Sequence, residues 1–449
     1  MFPIPSSAQT LLEKCAPAFS RPTYSRWLVW LVAAILTTGH HTISNVLRTV
    51  RRLVPGHAST YHRVFSHRRW SMWTLSHGLT EYILSKFVPE GTVYLAADDT
   101  VEEHPGRKVY GKGRHRDAVR SSRSYTAFRW GHKWVVLSIL VTFPFAHRPW
   151  ALPVLVALYR TPGWNQKHRR RHRTPAQLAR KLVAVLLHWF PQRKFILSGD
   201  AALGTHDLAA FAARHSRRLT LVARFNPQAN LFEPPPPRRK GKRGRTRVKG
   251  ARLPKAQDVV RRTPKRRKLW VSWYGGGRRR VEVVTGTGHW YKAGGGLVAV
   301  RWVFVHDLSG THRDDYFFSS DPKLTPQELI STFTGRWSIE VTFQEMRAYA
   351  GLQSTRGRSE RTVLRMAPCL FALYSVVAVW YAQLPGGYRQ KSPVDWAGKR
   401  DRTFSDAITM VRRWIWDEWI FEGVYRDVAL SIIPKPMREA LVYTLAPCA

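Results

Sequence analysis

Acidic side chains are scarce in this chain, so those that follow short apolar runs are the first places to look for chemistry. Asp98 and Asp99 close the run Thr92-Val-Tyr-Leu-Ala-Ala97. Asp200 follows Lys194-Phe-Ile-Leu197 and Ser198-Gly199. Glu340 lies in a segment that opens Thr325-Pro326-Gln-Glu328 and reads as a helix. Three carboxylates from separate elements suffice to hold divalent ions. Mg²⁺ takes oxygen ligands and usually one or two carboxylates per ion, with water and phosphate completing the shell. Two such ions roughly 3.5–4 Å apart can activate an oxygen nucleophile, stabilise the leaving oxygen and neutralise charge at a phosphodiester.

Each acid also has a plainer reading. Strand alternation turns only one of Asp98 and Asp99 toward a given face, and either can be a turn residue where the strand ends. Asp200 is a possible helix N-cap. Gly204 argues against a helix starting there, and Thr205 is an equally good cap for a helix over about 205–216. At about 100° per residue, Phe333, Arg336, Glu340 and Arg347 fall within roughly 60° of one another, with Glu345 on another face. A surface Arg–Glu pair at i,i+4, stabilising by a few tenths of a kcal/mol, has the same spacing.

The elements that must position these acids read as α/β. Strands are expected at 92–97, 134–141, 194–197 and 219–223. Between them, Thr174-Pro175-Ala-Gln177 opens a helix with a cap, a proline in its first turn and a capping-box glutamine. The helix carrying Glu340 has the same kind of start, and Gly351 is its expected stop. Residues 1–88 and the chain from 355 onward read as helical. The apolar runs 27–36 and 370–382 are shorter than the roughly 20 residues a membrane span needs. Pro234–Pro237 is stiff and extended. Residues 268–274 and 280–284, joined by Gly275–Gly277, read as a hairpin, and regular α/β pattern resumes at 297–305.

The 449 residues are enough for two or three domains, and 44% hydrophobic content supports a substantial core. The charge is abnormal: Lys plus Arg number 73 and Asp plus Glu 29, a net +44. That balance calls for a polyanionic partner and excludes an ordinary neutral enzyme surface. Cys15, Cys369 and Cys448 match no zinc or disulfide spacing, which fits a reducing cytoplasm. The first residues lack the order of a signal peptide. The glycines at 275–277 and 294–296 are not followed by Lys-Ser/Thr, so no ATP is expected. Basic groups cluster near the acids: Lys108, Lys112 and Arg114 with His104 and Arg107 after the first aspartates, Arg169, Arg170 and Arg171 in the run 167–173, and Arg238, Arg239, Lys240, Lys242, Arg243 and Arg245 in the run 238–249.

Phe333-x₂-Arg336-x₃-Glu340-x₆-Arg347 resembles the Y-x₂-R-x₃-E-x₆-K signature of a large group of bacterial insertion-sequence transposases. All four spacings match; Phe333 stands for Tyr and Arg347 for Lys, which keeps charge but changes donor geometry. Asp98-Asp99-Thr100 resembles the family's first-aspartate motif, in which the catalytic acid directly precedes threonine, and this favours Asp99. Gly199-Asp200-Ala201 is similar to the second-aspartate region. The 140 residues from Asp200 to Glu340 (340 − 200) suit the family's β-strand insertion, and the basic run at 241–245 resembles the DDE-superfamily endonuclease branch. The resemblance covers roughly residues 20–380.

The resemblance implies an RNase H-like core: 89–225 as its first part, 226–295 as a basic β-rich insertion, 296–354 as the second part with the glutamate helix, and helical regions at 1–88 and 355–449. It implies that Asp99, Asp200 and Glu340 bind two Mg²⁺ or Mn²⁺ ions. Water would nick double-stranded DNA at terminal inverted repeats, and the freed 3′-OH would attack target DNA. Arg336 and Arg347 would hold phosphates. A homodimer on paired DNA ends, in the bacterial cytoplasm at the nucleoid, is the expected assembly. Some relatives stack a tryptophan on a flipped base; Trp270, Trp273 and Trp290 are candidates by location, with core packing the alternative. The competing functional reading is a catalytically inactive, transposase-derived DNA-binding protein.

Overall fold

The structure, a computed structural model, describes residues 6–50, 54–117, 121–122, 124–237, 246–390, 399, 401–418 and 434–446. The basic residues Arg238, Arg239, Lys240, Lys242, Arg243 and Arg245 therefore lie outside the described residues, as does Cys448.

The N-terminal region is helical, as expected: α1 (Ser6–Cys15), α2 (Arg21–Leu36), α3 (Ile43–Thr49), α4 (Ala58–Ser66) and α5 (Met72–Phe87). Every residue from Trp27 to Leu36 is buried, so the missing polar face in that run marks a core helix. The last carbonyls of a helix lack internal partners. In α2 the buried Arg412 supplies one, donating to the Ile35 carbonyl at 2.6 Å and to the Thr37 carbonyl at 2.9 Å. Arg412 belongs to α14 (Phe404–Asp417), so this contact ties the two ends of the chain.

Among the described residues one helix, α12 (Glu360–Gln383), is long and apolar enough to cross a membrane. Its apolar window is 78% buried against the rest of the protein. Cys15 and Cys369 are buried free thiols, and burial pushes both up to about 12, which makes them inert.

The centre is a mixed sheet with helices at both ends of the chain. β1 (Thr92–Glu103), β3 (Phe128–Val141) and β4 (Trp150–Tyr159) form an antiparallel meander, and β2 (Gly113–Arg116) extends the edge beside β3. On the other side of β1 run β5 (Lys194–Gly199) and β6 (Leu219–Arg224), both parallel to it. Parallel neighbours need crossover connections. The helix α7 (Pro175–Trp189) lies between β4 and β5, and α8 (His206–Arg214) between β5 and β6. The expected capping box at Thr174 and Gln177 is present, and Thr205 caps α8.

Two departures matter. The strand carrying the first aspartates does not end at Asp99 but continues to Glu103, held by β3 along its whole polar half. And β4, absent from the sequence reading, is a buried strand that contains Pro153; the register with β3 shifts at Leu137/Ser138, where an irregularity accommodates a residue without an N–H donor.

The insertion joins the same sheet. The expected hairpin is there: β8 (Arg267–Ser272) pairs with β9 (Arg278–Lys292), and Gly275 and Gly276 take φ of +71° and +85° in the turn. Then β9 pairs with β10 (Gly296–Asp307), β10 with β11 (Asp315–Ser319), and β11 with β6. The expected boundary at residue 295 thus falls in the turn between two paired strands, β9 and β10. Against this half packs α10 (Pro326–Gly335), whose Leu329, Ile330 and Phe333 bury with Val271, Val281, Val303 and Phe317 in a second core.

Candidate active site

The parallel register fixes the geometry of the aspartates. Thr92–Ala97 of β1 pairs with Lys194–Gly199 of β5, ending on Ala97↔Gly199. The next rung would bring Asp98 level with Asp200. Side chains alternate along a strand, so Asp98, Thr100 and Glu102 share one face and Asp99 turns to the other.

The face of Asp98 is the face of the glutamate helix. The continuous helix expected over 325–350 is in fact two, α10 and α11 (Ser338–Tyr349), with Arg336 and Trp337 between them. Both hinge residues keep helical dihedrals, but the local bonds tighten to i−3, as in Glu340 N–H to the Trp337 carbonyl at 3.0 Å. Arg336 sits at this hinge, 7% exposed, and forks between two acids. Its Nη1 donates to Asp98 Oδ2 at 2.6 Å, and its Nη2 to Glu340 Oε1 at 2.8 Å. Two turns on, Arg347 Nη1 donates to Thr100 Oγ1 at 3.0 Å. Gly351, at φ +65°, ends the helix as expected, and the Leu352 N–H reaches back to the Met346 carbonyl.

So the structure brings together Asp98, Arg336, Glu340, Thr100 and Arg347, with Asp200 close enough to act electrostatically on both Asp98 and Arg336. Asp99 turns to the other face, where its Oδ1 pairs with Lys133 of β3 at 2.8 Å, although Asp200 acts electrostatically on it as well. Asp200 also has a local duty. Its Oδ1 accepts from the Ala202 and Leu203 N–H groups and holds the turn before α8, while the N-cap role belongs to Thr205. Glu345 is on another face, as the helical angle requires, accepting from Tyr374 at 2.7 Å. Phe333 stacks on Phe317 in the second core at 4.0 Å between ring centroids.

Burial pushes the Asp98 carboxyl up to about 7; Arg336 opposes the shift, and the charges of Asp200 and Asp99 reinforce it. Asp99 is raised too, by burial first, against the pull of Lys133. These are acids short of positive charge. Carboxylate oxygens are the donors a hard divalent cation takes, so in kind the residues fit Mg²⁺ or Mn²⁺. In arrangement, no group of three or more metal-ligating side chains stands close enough to hold an ion among the described residues. The Arg336 guanidinium lies between Asp98 and Glu340 and supplies part of the missing charge.

The other basic residues named from sequence fall outside this constellation. Lys108 and Lys112 line a separate cleft at the end of β1, and the Arg114 guanidinium lies 4.0 Å over the Phe128 ring. Arg169, Arg170 and Arg171 are exposed in the loop after α6 (Pro162–Lys167), where Arg169 takes a left-handed φ of +50°. Of the three tryptophans, Trp273 is buried in the second core. Trp290 packs on Phe225 and Phe318, and Trp270 is exposed. Sequence reasoning missed Thr100 and Lys133. The signal for Thr100 was the period of two from Asp98; Lys133 has no local signal, since only the β1–β3 register puts it beside Asp99.

Asp98 lies within β1, Asp200 just past β5, and Arg336 bridges Asp98 to the helix glutamate Glu340; the family match makes this α/β protein a nuclease-type enzyme. The chain belongs to the DDE superfamily endonuclease family, whose model matches residues 15–280. Residues 297–378, which include Glu340, match the model of the archaeal putative transposase ISC1217. The resemblance to transposases and the α/β core it implied are thus borne out. No curated protein matches the chain. Among solved structures, the cryo-EM structure of the piggyBac transposase synaptic complex with hairpin DNA aligns at a TM-score of 0.39 and 10% identity. The alignment covers 98% of this chain and 82% of that one, a likeness too distant to bear on function.

Proposed function

We propose that the protein is a metal-dependent DNA transposase that nicks the ends of a mobile element and joins the 3′-OH to target DNA, with Asp98, Asp200 and Glu340 as its catalytic acids. What supports the choice of Asp98 over Asp99 is one observation: Arg336 bonds Asp98 and Glu340 at once, whereas Asp99 pairs with Lys133. In this reading 89–225 and 296–354 form the catalytic core, and 226–295 its insertion.

Two divalent ions bound by these acids would activate water and neutralise charge at the scissile phosphate. The chain's own residues have further duties. Arg336, fixed by its fork, orients Asp98 and Glu340 relative to each other. Arg347 has a hydroxyl partner rather than a carboxylate, so its charge is left for a phosphate. Lys133 neutralises Asp99 and keeps it from competing for cations. Double-stranded DNA is the partner, phosphate contacts dominate affinity, and binding falls steeply with salt. A dimer would hold the two ends together, in the cytoplasm at the nucleoid.

The test is cleavage of DNA carrying the element's terminal repeats with Mg²⁺ or Mn²⁺. Asp98→Asn, Asp200→Asn and Glu340→Gln should each lose several kcal/mol of transition-state stabilisation, on the order of a thousandfold in rate. Asp99→Asn should stay within about tenfold of wild type. Loss of cutting in Asp99→Asn with activity kept in Asp98→Asn would reverse the assignment. DNA binding without cutting by the wild-type chain would instead favour an inactive derivative.

A further inference from the structure

One cleft lies away from the carboxylates, beyond the far end of β1. It measures about 1230 Å³ and is lined by basic and aromatic side chains. Trp130 is 60% exposed, and Phe128, two residues away on the same strand face, is 47% exposed. Folding leaves Trp130 largely open, while the Arg114 guanidinium lies 4.0 Å over the Phe128 ring, so that Phe128 has one face to offer. Arg107, Lys108, Lys167 and Arg356 line the same cleft and have no carboxylate partner among the described residues. The lining carboxylate, Glu103, is already paired with Arg129 at 3.1 Å. Lys112 stands 5.9 Å from the centre of the Trp130 ring.

The cleft is separate from the candidate active site but lies on the same side of the β1–β3 pair. In the β1–β3 register Asp98 faces Val136, Thr100 faces Trp134 and Glu102 faces His132. The next pair on that face is His104 and Trp130, joined by a backbone hydrogen bond of 3.1 Å. Trp130 thus lies on the Asp98 side of the sheet, six residues along, roughly 20 Å at about 3.3 Å per residue.

We propose that this cleft binds unpaired DNA nucleotides, stacking bases on Trp130 and Phe128 and holding phosphates with Arg107, Lys108, Lys167 and Arg356. The inference rests on the DNA reading above. A duplex hides its base faces and offers a protein mainly phosphates and groove edges. Exposed aromatic faces beside unpaired cations match a single strand instead, since every base has a stackable face.

The experiment uses the full chain in EDTA, so that no cutting occurs, and fluorescence anisotropy with labelled oligothymidylate and with a labelled duplex. Trp130→Ala should weaken single-strand binding by about tenfold, as expected for loss of one stacked base, and leave duplex binding within about twofold. Trp130→Phe should restore most of the loss. Equal weakening of both DNAs, unchanged single-strand affinity, or no rescue by Phe would overturn the proposal. If Trp130→Ala melts early, Phe128→Ala gives the same comparison. Unchanged Trp130→Ala binding alongside inactive carboxylate variants would sink this cleft alone. Selective loss in Trp130→Ala alongside fully active carboxylate variants would keep the cleft and sink the catalytic assignment.

Discussion

Asp307 and Asp98 are strand aspartates that each bond an arginine, and their surroundings push them opposite ways. Burial alone would raise Asp307, at the end of β10. Instead the Ser309 hydroxyl and N–H, the Thr311 hydroxyl and the Arg279 charge outweigh burial and hold its carboxyl well below the usual range. Asp98 has Arg336 and one N–H, that of Asp99, and burial with two neighbouring acids leaves its carboxyl near 7. The first acid has its bonding capacity used by the fold. The second does not, and its remaining need for positive charge points to something the fold does not contain. Perturbed acids that structure leaves unsatisfied are where function is to be sought.

The comparison breaks most visibly if the two sites are neutralised in turn. Asp98→Asn should cost about a thousandfold in cutting yet keep or raise the melting temperature in EDTA, because it removes a buried charge that is poorly compensated. Asp307→Ala should do the reverse. It strands Arg279 and the loop donors, and breaking such a buried pair costs about 3–5 kcal/mol. Chemical denaturation of both variants checks the pair. If Asp98→Asn unfolds as easily as Asp307→Ala, the contrast between a functional and a structural acid is lost.

The sequence made these two sites unequally readable. Glu340 was legible because three features of the segment 325–351 agree: the cap at Thr325, the stop at Gly351 and the 100° arithmetic that separates it from Glu345. The turn at Arg336–Trp337 was not, since both residues have ordinary helical dihedrals and Gly335, directly before them, was not read as a break. The extent of β1 was hidden for a different reason. Asp98-Asp99-Thr-Val-Glu-Glu103 is polar enough to look like a turn, and it is a strand because β3 bonds it along its length. Tertiary pairing overrode local propensity. Once the strand is known to continue, alternation alone groups Asp98 with Thr100 and Glu102. The β4 strand was missed because Pro153 interrupts an otherwise clear apolar run.

A third acid sharpens the comparison. Glu102 shares the face of Asp98 but is fully buried, accepting from Trp134 Nε1 at 2.8 Å and from Thr355. Burial pushes it up to about 7, despite those two bonds. Its folded pKa exceeds the unfolded value near 4.5, so the folded state binds more protons between those limits. That share of stability is present below about 4.5 and is lost as pH rises through 7. Linkage puts it at about 3 kcal/mol. Glu102→Gln, which mimics the protonated acid, should remove this part of the slope. Urea midpoints from pH 5 to 8 decide it, and parallel curves for the two proteins would refute the account.

The smallest effect concerns Arg347, where the chain departs from the lysine of the resembling transposases. Its guanidinium donates to Thr100 and pairs with no carboxylate among the described residues. Burial and the nearby Arg129 lower its pKa, with Asp117 opposing, yet a guanidinium stays charged throughout the working range. If its duty is to present charge to a phosphate, a point charge serves nearly as well as a fork. Arg347→Lys should then cost less than about 1 kcal/mol, a few-fold in cutting rate. Arg347→Ala should cost more and flatten the salt dependence of binding by about one phosphate contact. Arg336→Lys provides the contrast, because Arg336 uses two nitrogens on two different acids and a single ammonium cannot reproduce that fork. Equal losses in the two lysine variants would mean that Arg347 also works through its geometry. The relatives' lysine would then belong to a differently built site.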